Sequence, residues 1–254
     1  MEDKLKQLIS KQLPERSQRT LTPKSLSDLE KSRVSSSEYY EITIGGVKKR
    51  ITEENLCILW KEAFWRALNL VSPGFKVSPR NKDVITNIFF WMCPEFGDSC
   101  FDPKKGLLLW GGVGTGKTTL IKGIQKFLTF RNQGIYACQN KNIGFELVSA
   151  AEISLRYASE GMKVLEKWTD REQISNLAID EIGREEISSH FGTKCNTIQT
   201  VLQLRYEHRH KVLTLGTTNI DMESDDFANR YGNYIYDRSK EMFNIIEIGG
   251  SSRR

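Results

Sequence analysis

The stretch Gly-Gly-Val-Gly-Thr-Gly-Lys-Thr at residues 111–118 constrains this chain more than any other. It follows a short apolar run, Gly-Leu-Leu-Leu-Trp at 106–110, and opens the helix-forming run Thr-Leu-Ile-Lys-Gly-Ile-Gln-Lys-Phe-Leu at 119–128. A Gly-x-x-x-x-Gly-Lys-Thr pattern set between a strand and a helix is a loop that cradles the phosphates of a nucleoside triphosphate. Its glycines let successive backbone N–H groups turn inward, and the helix N-terminus adds the positive end of its dipole. On this reading Gly111, Gly112, Val113, Gly114, Thr115, Gly116, Lys117, Thr118 and Thr119 hold the nucleotide. Lys117 reaches the β- and γ-phosphates and the Thr118 hydroxyl ligates magnesium. A glycine-rich turn that meets the pattern by chance is the alternative, and the strand and helix around it speak against that.

Such a loop needs a parallel sheet behind it, and the sequence after Pro103 has the required rhythm. Short apolar runs at 106–110, 135–137, 145–148, 177–180, 212–218 and 245–248 alternate with helical patterns. Buried parallel strands separated by crossover helices read this way, so the expected class is α/β, a three-layer P-loop fold around a parallel central sheet. Upstream, residues 1–40 carry few large apolar residues and read as a flexible arm, with Leu5, Leu8, Ile9 and Leu13 on one face of a short helix. Residues 41–100 read as a mostly helical region. A strand and turn at 39–47 precede a helix starting near Thr52 with Leu56, Trp60 and Phe64, and a second helix follows Pro79. The nucleotide domain is expected at 101–254, because 254 residues hold one substantial core and a smaller appendage. The tryptophans of the upstream helices serve either as core or as a base-stacking or partner-binding face.

The composition excludes several classes. No stretch approaches the ~20 apolar residues of a membrane helix, and the charged start lacks a secretory pattern, so no membrane partner and a cytoplasmic location are expected. Cys57, Cys93, Cys100, Cys138 and Cys195 form an odd set without Cys-x-x-Cys spacing, which points to reduced, mostly buried thiols. The formal charge of +5 permits contact with nucleic acid without requiring it.

Triphosphate hydrolysis also needs acidic groups opposite the loop. Leu-Ala-Ile-Asp-Glu at 177–181 supplies them at the end of an apolar run, where a strand's C-terminal end faces the phosphates. Asp180 is the expected magnesium residue, and Glu181 the group that orients and deprotonates the attacking water. The run at 212–218 ends in Thr217, Thr218 and Asn219. In an adjacent strand Asn219 would hydrogen-bond the γ-phosphate and the water; a turn-forming asparagine is the alternative. Phosphoryl transfer to a small molecule is a further use of such loops, and the Asp180-Glu181 pair argues for water as acceptor.

Taken in order, the loop at 111–118, the acidic strand at 177–181 with Ile182-Gly183, the Thr217-Thr218-Asn219 tip, and the tail running from Arg230 through Asp237-Arg238 to Gly250 and Arg253 resemble the DnaC/IstB group of AAA+ ATPases. The resemblance covers roughly residues 100–254. It implies ATP and Mg2+ as ligands, head-to-tail self-association, and Arg238 as a finger toward a neighbouring subunit's nucleotide, with Arg253 as a second sensor. A surface ion pair of Arg238 with Asp237 or Glu241, and a frayed tail for Arg253, are the alternatives. It further implies a DNA replication helicase loader acting on single-stranded in preference to duplex DNA, with a replicative helicase or a transposase as protein partner. A transposition helper and a slow nucleotide-gated assembly switch are the competing roles. DNA contacts would fall on Lys141 and Asn142, on residues 156–167, and on 184–194, each otherwise a solvated face. The cysteine-rich zinc module that some helicase loaders carry at the N-terminus has no counterpart here, so residues 1–100 do not identify the partner.

Overall fold

A computed structural model describes residues 39–44, 47–131 and 144–250. The arm expected at 1–40 (but for its last two residues), the apolar run at 135–137, Cys138, Lys141, Asn142 and Arg253 lie outside them. An antiparallel hairpin of β1 (Tyr39–Ile44) and β2 (Val47–Thr52) leads directly into α1 (Glu53–Val71). Thr52 ends the strand and starts the helix, because its side chain accepts from the amide of Asn55 and so satisfies one orphan donor of the first turn. After α2 (Lys82–Met92) the chain enters the central sheet.

That sheet has five parallel strands in the order β4 (Glu146–Ser149), β5 (Leu177–Ile182), β8 (Thr214–Thr218), β3 (Gly106–Trp110) and β9 (Phe243–Glu247). Two short strands, β6 (Ser188–His190) and β7 (Thr193–Cys195), form a separate hairpin after β5. The expected strands at 106–110, 145–148, 177–180, 212–218 and 245–248 all have counterparts within a few residues.

Alternation along the central strands sorts the interior into two layers. Leu107 and Leu109 of β3 pack with α1, α2 and α3 (Lys117–Arg131), whereas Leu108 faces the opposite core. That second core joins α4 (Ala150–Glu160), α5 (Met162–Thr169), α6 (Thr197–Tyr206), α7 (Asp226–Tyr231) and α8 (Asn233–Met242). The three-layer α/β expectation is met.

The upstream helices share the first core. Trp60 and Phe64 of α1 and Phe89 of α2 close on Phe127 of α3, with ring centroids 5.3 to 6.2 Å apart. Gly123 lets α1 approach α3 closely, since a Cβ there would stand 2.3 Å from Leu68 Cδ2. Trp60 and Trp91 are buried core, while Trp65 lies at the surface. The cysteines are less uniformly buried than expected: Cys93 is buried, Cys57 and Cys195 are half-buried, and Cys100 is exposed. Among the described residues no helix is long and apolar enough to cross a membrane.

Candidate functional site

The parallel order places β8 between β3 and β5, so the loop after β3 and the acidic end of β5 face each other across one intervening strand tip. The phosphate loop is shaped by its glycines. Gly111 has φ 137°, and a Cβ on it would lie 2.5 Å from the carbonyl oxygen of Ile248, so the close approach of β9's continuation demands glycine. Within the loop Thr115, almost fully buried, donates its hydroxyl to the carbonyl of Gly112 at 3.0 Å. Lys117 donates to the carbonyls of Gly111 and Gly112 at 2.8 and 2.7 Å, which holds its ammonium over the loop. Burial lowers its pKa below the ordinary 10.5, and the carboxylates of Asp180 and Glu181 pull the other way without cancelling the effect.

The acidic side of the site is built by an irregularity in β5. Its register against β8 slips between Ile179 and Ile182, and Glu181 adopts φ 57°, a left-handed conformation rare outside glycine. The Thr217 hydroxyl fills the gap this leaves in the ladder. It donates to Asp180 Oδ1 at 2.5 Å and accepts from the amide of Glu181 at 2.9 Å. Thr118 donates to the same Asp180 oxygen at 2.9 Å. Asp180 is therefore clamped between the helix that starts in the phosphate loop and the middle strand. Glu181, one residue on, is half-exposed and pairs with Arg184 at 2.7 Å. The hydroxyl of Thr118 and the carboxylate of Asp180 are hard oxygen donors beside a phosphate loop. They fit magnesium, which takes one or two protein oxygens and completes its shell with phosphate and water. When bound there it would draw charge from the phosphate oxygens.

Of the residues singled out in the sequence, the fold thus assembles the 111–118 loop, Thr118, Asp180 and Glu181 into one site. Asn219 follows β8 and is exposed, whereas Thr217, two residues earlier and fully buried, makes the contacts to the acidic pair. Thr217 belongs to the polar tip Thr217-Thr218-Asn219, but only the register with β5 selects it over its two neighbours.

Behind Glu181 the loop is anchored by a buried acid. Glu185 accepts from the Gly183 amide at 2.8 Å and from the Tyr231 hydroxyl at 2.6 Å, and it pairs with Arg230 at 3.1 Å. Burial first, and the Glu185 charge second, push the Tyr231 hydroxyl well above its ordinary range.

Arg238 stands on α8. Its ion pair is with Glu207 at 3.4 Å, not with Asp237 or Glu241. Among the candidate nucleic-acid residues, Arg156 pairs with Glu152 on its own helix, Lys167 bonds Glu146 at 2.6 Å, and Lys194 is exposed on β7.

A phosphate loop, a clamped aspartate and an adjacent glutamate at the C-terminal edge of a parallel sheet define the class of P-loop nucleoside-triphosphatases. The sequence pattern of the ATPase family associated with various cellular activities (AAA) matches residues 107–236, just over half the chain, and the chain belongs to that family. Spastin of Ixodes scapularis is 30% identical over an alignment 149 residues long that covers 54% of this chain and 21% of that protein. The matched part thus spans about a fifth of the relative's length. A crystal structure of the DnaC helicase loader superposes with a TM-score of 0.48 at 20% identity, covering 73% of this chain and 98% of that one. A crystal structure of DnaI gives 0.46 at 22% identity, covering 74% and 93%.

Proposed function

We propose that this protein hydrolyses ATP to ADP and phosphate at sites completed by a neighbouring copy, and that it uses the cycle to load a replicative helicase on DNA. The observation that carries the hydrolytic reading is the clamp on Asp180 by Thr118 and Thr217, with Glu181 next to it. Lys117 and the loop amides bind the phosphates, Asp180 and Thr118 hold the metal side, and Glu181 takes the proton of the attacking water. For that last step Glu181 must leave Arg184, a surface pair weak enough to exchange. Arg238 acts in trans on the γ-phosphate, where a guanidinium that stays charged can fork across oxygens as charge moves. The loader role, the preference for single-stranded DNA and cytoplasmic action rest on the ordered motif resemblance to the DnaC/IstB group.

The test is steady-state ATP hydrolysis with and without single-stranded and duplex DNA, on wild type, Glu181→Gln and Arg238→Ala, with sedimentation to follow assembly. Turnover that rises with single-stranded DNA and assembly, and that both variants lose while still binding ATP, is the expected result. Stimulation by duplex DNA alone would replace the loader with a transposition helper. DNA-independent activity from a monomer, unchanged in Arg238→Ala, would leave only hydrolysis within one chain.

A further inference from the structure

Arg238 is held in an arrangement that a solvated surface arginine does not need. Its guanidinium carbon lies 3.6 Å from the ring centroid of Tyr234 and 4.1 Å from that of Tyr206, and its side chain is only 18% exposed. Tyr234 sits four residues before Arg238 on α8, so the two share a helix face, whereas Tyr206 comes from the last turn of α6. Tyr206 is itself fixed on two sides. Its hydroxyl donates to Glu241 at 2.7 Å, and a second guanidinium, that of Arg209, lies 4.0 Å from its ring.

We infer that Tyr206 and Tyr234 are positioning residues for the trans-acting Arg238, an inference that rests on the reading of Arg238 given above. Aromatic rings attract a guanidinium through its flat faces. The N–H groups that would bond phosphate oxygens point outward in the guanidinium plane, and stacking leaves them free to do so. The rings therefore set the direction of the group without consuming its donors. The edge contact is of a different kind: Glu207 has a 60% exposed side chain, and its 3.4 Å pair with Arg238 is screened by water and readily exchanged. Glu207 holds the charge until a neighbour's phosphate replaces it, and the tyrosines keep the guanidinium aimed while the partner changes.

Mixed assemblies test this. Glu181→Gln subunits cannot hydrolyse but carry an intact Arg238; Arg238→Ala subunits can hydrolyse but lack it. Mixing the two is expected to recover DNA-stimulated turnover that neither shows alone. When the donor is instead Glu181→Gln/Tyr234→Ala, recovery should fall roughly tenfold, in kcat with the KM for ATP unchanged. A Glu181→Gln/Tyr234→Phe donor, which keeps the ring, should recover turnover fully. Tyr234 is 55% exposed, so its truncation leaves the fold intact, and sedimentation of each mixture checks that assembly is unchanged. Equal recovery from the Tyr234→Ala donor, or equal loss from the Tyr234→Phe donor, would overturn the positioning role while leaving Arg238 in place. No recovery in the parent mixture would overturn the trans role of Arg238 and the inference with it.

Discussion

Lys117 shows how a single side chain pays for its place in the site. Its ammonium is almost buried, and burial disfavours the charged form, so the amine titrates below its ordinary 10.5. The folded chain binds this proton less tightly than the unfolded chain does. The cost to stability is therefore present at neutral pH, and it is relieved as pH rises from the depressed folded value toward 10.5. Nucleotide binding runs the other way, because phosphates need the charged amine. ATP affinity should fall with rising pH starting below 10.5, and binding in that range should take up a proton. Lys117→Arg, weaker overall, should lose this alkaline limb because a guanidinium stays charged. Titration calorimetry in buffers of different ionisation enthalpy reads both effects; a limb unchanged in Lys117→Arg would assign it to another group. Arg205 is the opposite case, a buried cation with a structural task. Its fork donates to Thr214 Oγ1 and to the carbonyls of Trp168, Ser175 and Leu213, at 2.7 to 3.1 Å. Arg205→Ala strands those acceptors in the core. It should cost roughly 3 kcal/mol or more, a melting point lower by about 10 °C. A melting shift of a degree or two would show that the acceptors find other donors.

At the scale of elements the acidic site depends on how β5 meets β8. The slip at Asp180 and Glu181 leaves the Glu181 amide without a ladder partner, and the Thr217 hydroxyl supplies one while also donating to Asp180. Thr217→Val keeps the shape and removes both bonds. A hydrogen bond to a charged group is worth about 1.5–3 kcal/mol, so kcat should drop by about 10- to 100-fold with little change in the KM for ATP. Thr217→Ser should retain most of the activity. Equal kcat in Thr217→Val and wild type would return the role to Asn219. The same elements mark what could be read from sequence. The phosphate loop and the Asp-Glu pair were legible because their spacing is local and each follows an apolar run. Thr217 was not, since three consecutive polar residues end that strand and only register says which one meets Asp180. Nor were the Tyr206 and Tyr234 rings around Arg238, because Tyr206 reaches Arg238 from a different helix. The β6–β7 hairpin is illegible for another reason: three-residue strands are too short to show a period of two.

Across the whole molecule the sheet's two faces are covered differently. Helices α4 to α8 cover one face from within the nucleotide-binding half, while the other core draws α1 and α2 from the region upstream of residue 101. Leu56, Trp60, Phe64, Ile88 and Trp91 are each at most 5% exposed, and several of them close over α3, the helix that begins in the phosphate loop. Removing them would strip Phe127 of α3 of its ring contacts and open the apolar core that α1 and α2 share with it. Burying a large apolar side chain is worth about 1.5–3 kcal/mol, and several lost together are comparable to the ~5–15 kcal/mol by which a domain is stable. A fragment of residues 101–254 should therefore keep helical circular dichroism but melt without a cooperative transition and bind ATP poorly. The full chain should melt cooperatively and bind ATP. If 101–254 instead unfolds in one sharp transition and binds nucleotide normally, the upstream helices are a separable module, and their packing on α3 is dispensable for the site.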